Sequence, residues 1–328
     1  MKKILFRADA APHIGIGDLM SLINISKYFD DSYEKYFIIK DYKAGVDLVN
    51  KYELNNCFII DSSIKLKDEI IYINDFIDEN NINILFFEIT EIKLSEYSGI
   101  SKKIKKIAVN FDGHILDDLD LVVDWDVEAN KFFDIQKYPN TKFLLGTEYV
   151  ILPREFYSQK LKERKSNLLN RKVLVAMGGA DEFDFTGKIV ESIIRSKIKI
   201  ELNIIIGSGY EYRNELEKQL KNSNIKYKIK QNITNMLDEY LSCDIGIGAG
   251  GLTSSELVAA KVSPILIATY KHQIARCEYF SAKGWSKYLG YKKFEDSELV
   301  DAILNPIKTT DKNIFNTYKI VELIDELC

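Results

Sequence analysis

The 328-residue chain contains no apolar run approaching the ~18 residues that a membrane-spanning helix needs. Its opening lysines are followed only by Ile4-Leu5-Phe6, too short for the apolar core of a signal peptide. It has four cysteines, Cys57, Cys243, Cys277 and Cys328, far apart and without the paired spacing of a metal site. The expectation is reduced thiols, a cytoplasmic location and no metal centre. No basic block stands out: 45 Lys and Arg against 49 Asp and Glu give a net charge of −4, spread along the chain. That argues against a nucleic-acid partner and leaves room for a local pocket that takes a small anion. There is no low-complexity segment. The chain is long for a single core, so two domains are expected.

What is present is an alternation of short apolar runs with stretches of helical spacing. Strands are expected at residues 3–7, 36–39, 57–60, 84–87, 106–110 and 121–123. Helices are expected at 19–29, 46–51, 69–79 and 94–103. Residues 142–145 and 149–152 carry the chain across a charged crossing at 160–171, and the pattern then restarts. Its strands are expected at 172–177, 201–207, 225–230, 244–247, 264–268 and 286–289. Its helices are expected at 185–195, 211–221, 236–241, 272–283, 295–305 and 315–327. Such βαβα order implies parallel sheets covered by helices, with ligands at the carboxyl ends of strands. The expectation is α/β, two doubly wound Rossmann-like domains facing each other across a cleft. They run from 1 to 152 and from 153 to 328, with a return of the last helix to the first domain as an open alternative.

Two strand–glycine loop–helix corners carry the candidate chemistry. In the second half, a strand feeds Gly248-Ala249-Gly250-Gly251 and a helix opened by Thr253, Ser254 and Ser255. The first amides of a helix lack internal partners, and its dipole places roughly half a positive charge there. An anion, above all a phosphate, suits that position. Glu256 follows where a carboxylate can meet a ribose diol. The alternative is an ordinary corner whose glycines serve packing. In the first half, the loop holds Asp9, His13, Gly15, Gly17 and Asp18. Asp18 is either a helix N-cap, a position at which Asp excels, or a base. His13 is either a solvated loop residue or a base. Asp9, Glu88 and Asp112 all fall just past strand ends. Asp9 is either cleft-facing or bonded to nearby amides, with Arg7 paired to it or to a ligand anion. His114 is a turn residue or a cleft residue, and His272 opens a helix. Trp125, Trp285, Tyr149, Phe156 and Tyr157 are expected to pack.

Several motifs together resemble a known family: Phe6-Arg7-Ala8-Asp9 with Ile14-Gly15-Ile16-Gly17; Gly146, Tyr149, Leu152 and Arg154-Glu155-Phe156-Tyr157; Met177-Gly178-Gly179-Ala180-Asp181; and Ile247-Gly248-Ala249-Gly250-Gly251 with Ser254 and Glu256-Leu257. Over most of its length the chain resembles the UDP-2,4-diacetamido-2,4,6-trideoxy-β-L-altropyranose hydrolases of pseudaminic acid synthesis, nucleotide-sugar enzymes of the GT-B fold. More distantly it is similar to the spore-coat polysaccharide family and to the peptidoglycan N-acetylglucosaminyltransferase. The resemblance implies a UDP-sugar held mainly by the second half. Gly250, Gly251, Leu252 and Thr253 would meet the diphosphate and Glu256 the ribose. The segment from Ile233 to Met236 would meet the base, and Gly178, Gly179 and Asp181 would line the cleft. Gln273 would lie near the sugar or phosphates. The family carries a histidine directly after the Gly-x-Gly of the first loop, where this chain has Asp18. Its Asp-His-Tyr run corresponds here to Glu88-Ile89-Thr90. The expected activity is hydrolysis that releases UDP from an activated deoxy amino sugar with inversion, without a cofactor, using Asp18, His13 or Asp9. A glycosyltransferase with the same donor and a non-catalytic nucleotide-sugar binder are the alternatives.

Overall fold

The computed structural model describes residues 1–11, 13–89, 94–110, 118–158, 171–207, 209–231, 233, 235–308 and 314–327. Thr90, Asp112, His114 and nearly all of the charged crossing at 160–171 lie outside them. The chain divides into two compact units. Unit 1 comprises Met1–Arg154 and Phe315–Cys328, and unit 2 comprises Glu155–Ile314.

Unit 1 runs β1 (Lys2–Ala8), α1 (Gly17–Ser26), β2 (Tyr33–Lys40), α2 (Lys43–Lys51), β3 (Cys57–Ile60), α3 (Leu66–Asn80), β4 (Ile84–Glu88), β5 (Lys105–Val109), β6 (Leu121–Asp124), α4 (Ala129–Phe132) and β7 (Lys142–Leu145). Its strands form one parallel sheet in the order β3-β2-β1-β4-β5-β6-β7. The order reverses between β1 and β4, whose last residues Ala8 and Glu88 are register partners. Unit 2 runs β8 (Lys172–Ala176), α5 (Phe185–Ser196), β9 (Glu201–Ile206), α6 (Arg213–Lys221), β10 (Lys226–Gln231), α7 (Met236–Leu241), β11 (Ile245–Ala249), α8 (Leu252–Ala259), β12 (Ser263–Ala268), α9 (Ile274–Ala282), β13 (Lys287–Tyr291) and α10 (Asp296–Leu304). Its parallel sheet has the order β10-β9-β8-β11-β12-β13 and reverses between β8 and β11. Ligands of doubly wound sheets bind at such reversals, beyond the carboxyl strand ends. Each expected glycine corner therefore stands at the reversal of its own sheet.

The central strands are apolar along their whole length because helices cover both faces. β4 is buried at every residue, as are β11 and β12. In unit 1, Phe6 stacks on Phe37 at 4.9 Å and lies 5.1 Å from Phe86. The closing helix α11 (Tyr318–Leu327) packs on unit 1. Tyr318 meets the Tyr28 ring edge-on at 4.9 Å, and Thr317 Oγ1 donates to the Val150 carbonyl at 2.9 Å. No helix among the described residues is long and apolar enough to cross a membrane.

Two local expectations differ. Residues 94–103 do not form a helix but a single 3₁₀ turn, Leu94–Tyr97. Tyr97 is fully buried and donates to Glu69 Oε1 at 2.7 Å, and a side chain at Gly99 would meet Ile70 Cγ2 at 3.0 Å. The segment is thus held against α3 too closely for a further helical cylinder. Residues 147–149, at the start of the stretch that leads toward the second unit, form another 3₁₀ turn. β11 continues through Ala249, leaving Gly250 and Gly251 alone as the turn.

Candidate active site

In unit 2 the turn between β11 and α8 is shaped by what packs against it. A Cβ at Gly250 would lie 2.5 Å from Cys277 Sγ and 2.8 Å from Gln273 Cβ, so only glycine lets α9 approach. Gly251 is the N-cap of α8 and has no side chain to cap the helix. Ser254 turns its hydroxyl back to the Gly251 carbonyl at 2.6 Å. Gly251, Leu252 and Thr253 are half-buried, so the first amides of α8 stand at the rim of the unit. Gln273 completes this corner. Its Oε1 accepts from Thr269 N (2.9 Å), Thr269 Oγ1 (3.1 Å) and Tyr270 N (3.4 Å). Three donors on one atom fix which end of the amide is oxygen. The Nε2 end is turned toward Gly251, 3.7 Å from where a Cβ there would stand. A main-chain helix start and a side-chain N–H₂ donor thus border the same turn.

Glu256 lies one turn further along α8 and is 9% exposed. Tyr240, fully buried, donates its hydroxyl to Glu256 Oε2 at 2.7 Å. Burial pushes the Glu256 carboxyl up to about 7; the Tyr240 bond pulls it down and Glu155 pushes it up again. Ile233 and Met236 are half-buried on either side of Asn235, which caps α7 by accepting from Asp238 N at 3.3 Å. Gly178 adopts a φ of 103° that favours glycine, and Gly178 and Gly179 are both exposed. Their turn presses on the next one, since a Cβ at Gly207 would lie 2.0 Å from the Gly179 carbonyl oxygen. Asp181 is half-buried at the end of this turn. Its carboxylate accepts from Phe185 N at 2.9 Å and Thr186 N at 2.7 Å, so both oxygens serve the start of α5.

In unit 1, Asp9 follows β1 and takes the alternative in which it bonds nearby groups. It is 2% exposed and held by the fully buried Arg7, with Nη1 2.7 Å from Oδ1 and Nη2 2.8 Å from Oδ2. Lys40 N donates to Oδ1 at 2.7 Å. Arg7 also reaches Glu69 Oε1 through Nε at 2.9 Å. Burial alone would lower the guanidinium, but Asp9 outweighs it, so Arg7 stays charged. Asp9 is structural. His13 is exposed, its ring edge-on to Tyr42 at 5.5 Å, in a loop closed by Gly15 N donating to Ala11 O at 2.7 Å. Gly15 (φ 82°) and Gly17 are exposed, with open space where a side chain would stand.

Asp18 is the second residue of α1. The N-cap is Ile16, so Asp18 is not the cap that the sequence allowed. It is half-buried at the carboxyl edge of the sheet. The neighbouring carboxylate is Glu88, 1% exposed at the end of β4. Asn110 Nδ2 donates to Glu88 Oε1 at 3.2 Å, while Oε2 is buried without a hydrogen-bond partner. Burial first, then the charges of Asp18 and Asp124, hold the Glu88 carboxyl well above its ordinary value against the pull of Ser21 and Asn110. The sequence places Glu88 with Asp9 and Asp112 at strand ends and gives it no role of its own. Its signal was its place at the last position of an apolar strand, beside a motif that departs from the family pattern.

Residues 173–321 match the glycosyltransferase family 28 C-terminal domain. An uncharacterized protein of Methanocaldococcus jannaschii is 26% identical over 294 residues, covering 84% of this chain and 57% of that protein. The spore coat polysaccharide biosynthesis protein SpsG of Bacillus subtilis is 23% identical over 156 residues, covering 46% of this chain and 44% of SpsG. The chain spans about half the length of these curated relatives. Among solved structures, MurG of Acinetobacter baumannii aligns with a TM-score of 0.63 at 12% identity, covering 99% of this chain and all of MurG. The co-structure of S. aureus MnaA with UDP aligns with a TM-score of 0.60 at 11% identity, covering 100% and 97%. At such identities the likeness establishes the fold, which is GT-B: two Rossmann-like units, each with a parallel sheet.

Proposed function

We propose that the chain cleaves the anomeric C–O bond of a nucleotide sugar, UDP type, releasing the nucleoside diphosphate from an activated deoxy amino sugar. One observation carries this: the α8 amide terminus and the Gln273 N–H₂ flank the turn at the reversal of the unit 2 sheet, one helical turn before Glu256. In this reading the amides and Gln273 stabilise the diphosphate as it leaves, and Glu256 accepts from the ribose hydroxyls. Ile233 to Met236 meets the base, and Gly178 and Gly179 meet the sugar. Such a leaving group needs little protonation. What remains is a base to take the proton from the attacking oxygen, giving inversion as in inverting glycosidases. Asp18 suits that part, because the first turn of α1 favours its charged form and leaves it partly open to solvent. His13, exposed at the same loop, is the other candidate.

Two readings of the attacker remain in play. Water makes the protein a hydrolase. An acceptor hydroxyl makes it a glycosyltransferase, and the match of residues 173–321 to a glycosyltransferase domain favours that second reading. The likeness to SpsG supports a place in cell-surface polysaccharide synthesis for either. The test is incubation with a panel of UDP- and CMP-sugars with and without sugar acceptors, following free nucleotide. Release without acceptor supports hydrolysis, and release only with acceptor supports transfer. Calorimetry with no heat for UDP or CDP at millimolar concentration overturns the whole reading, and binding without turnover reduces it to a nucleotide-sugar binder.

A further inference from the structure

The carboxyl edge of the unit 2 sheet carries aromatic side chains to which the diphosphate site gives no role. Tyr270 follows β12, three residues before Gln273, and is 40% exposed. Its main-chain N–H is one of the donors to Gln273 Oε1, so its backbone is tied to the side chain whose Nε2 borders the Gly251 turn. The Tyr270 ring lies nearly parallel to the His272 ring, at 8° with centroids 5.8 Å apart, and is tilted by 59° to Phe183, 5.9 Å away. Phe183 comes from the loop after β8, shortly past Gly178 and Gly179. Lys292, just beyond β13, donates its N–H to the Ala268 carbonyl at 2.8 Å and sets its ammonium 4.0 Å from the centre of the Phe183 ring. The Tyr270 hydroxyl donates to Glu182 Oε2 at 3.1 Å. Loops from three strands thus meet in one ledge that holds a partly exposed tyrosine ring in a fixed pose. Large apolar groups exposed singly need no explanation, but a ring so fixed beside a ligand turn does.

We propose that the Tyr270 ring, backed by Phe183, is the platform on which the sugar of the donor lies with its C–H face down. A ring already held by a hydroxyl bond and two neighbouring rings loses little freedom when a ligand settles on it. Its π face is electron-rich, and the slightly positive C–H groups on one face of a pyranose pack against such a surface. Position decides between sugar and base. The sheet order is β10-β9-β8-β11-β12-β13. The segment from Ile233 to Met236, read as the base contact, follows β10, whereas Tyr270 and Lys292 follow β12 and β13, on the other side of the β11 turn. At roughly 4.8 Å per strand step, Tyr270 starts about 5 Å beyond that turn, the place of whatever lies on the far side of a diphosphate. In a nucleotide sugar that group is the sugar. Tyr270 is therefore a specificity residue: it touches the sugar ring and not the bond that breaks. It selects pyranoses with an uninterrupted C–H face over those with a hydroxyl aimed at the ring. This rests on the reading of the α8 turn as the diphosphate site.

The test is calorimetry of the whole chain with two ligands. One is UDP. The other is the analogue of UDP-N-acetylglucosamine in which a CH₂ replaces the anomeric oxygen, so that it cannot be cleaved. The quantity read is the analogue's affinity divided by that of UDP. Tyr270→Ala is expected to lower this ratio at least about fivefold, the scale of one aromatic contact, with UDP affinity unchanged within about twofold. Tyr270→Phe keeps the ring, loses only the bond to Glu182, and is expected to hold the ratio within about twofold of wild type. Should Tyr270→Ala not fold, Tyr270→Leu, apolar but without a π face, is expected to lower the ratio in its place. A ratio that the ring's removal leaves unmoved overturns the platform. So does an equal loss for both ligands, which would put the base on the ring. UDP bound by the wild type with an unmoved ratio sinks this proposal alone, whereas no UDP binding at all sinks the diphosphate reading beneath it.

Discussion

Glu256 carries a cost that can be measured. In the unfolded chain its carboxyl titrates near 4.5, and in the folded unit burial lifts it to about 7. The folded state therefore holds the proton more tightly than the unfolded one. The sign follows: stability from this group is full below about pH 4.5, is lost as pH rises from there to about 7, and is flat beyond. At about 1.36 kcal/mol per pH unit, the span from 4.5 to about 7 amounts to about 3 kcal/mol. Glu256→Gln keeps the shape and an acceptor for Tyr240 but cannot ionise. Urea unfolding of both proteins at pH 5 and pH 8 is the assay. The variant is expected to gain on the wild type by about 2–3 kcal/mol between those two values. Calorimetry with UDP should move the other way. If the ionised carboxylate accepts the ribose hydroxyls, wild-type affinity rises about tenfold from pH 6 to pH 8 relative to the variant. Parallel stability profiles for the two proteins refute the argument that this carboxylate is buried at a cost.

Gln273→Leu removes the side-chain donor at the α8 turn and is expected to weaken UDP binding by about 1.5–3 kcal/mol, leaving uridine affinity unchanged, as calorimetry can read. Asp18→Asn is expected to lower nucleotide release about 100-fold or more while UDP still binds; full turnover would remove Asp18 as base. Arg7→Leu strands Glu69 and Asp9 in the core and is expected to cost about 3–5 kcal/mol in urea unfolding. Gly250→Ala drives a methyl to 2.5 Å from Cys277 Sγ and is expected to cost about 1–3 kcal/mol and to weaken UDP binding by displacing Gln273.

The strand–helix alternation was plain in the sequence because parallel strands buried on both faces are short apolar runs, as in Ile84–Glu88. Segments decided by contacts far along the chain were not. Residues 94–103 have helical spacing, yet Tyr97 is drawn to Glu69 some 28 positions away and ends the turn. The carboxylates divide in the same way. Asp9 at a strand end has the right type and place for chemistry, but Arg7, two residues earlier, faces the same side of the pleat and consumes it. Asp181 stands beside two glycines and is spent on α5. Glu88 ends an apolar strand, and only the folded packing shows that α1 lies against that strand. The glycine corner at 250–251 was legible because its demand is local. Its extent was not, since continuation of β11 through Ala249 depends on pairing with Ile267 of the neighbouring strand.

Residues 315–328 belong with the first 154. Unit 2 is thus an insertion in a domain whose two pieces are separated by the whole of the other. As the chain leaves the ribosome, residues 155–314 can close their sheet from contiguous sequence. The first-made half must wait for the closing segment before the Tyr28 ring meets Tyr318 and the Val150 carbonyl accepts from Thr317. A shortened chain lacking that helix should keep unit 2 intact and lose cooperativity only in the older-born half, so truncation is a means of unfolding one lobe while sparing the other.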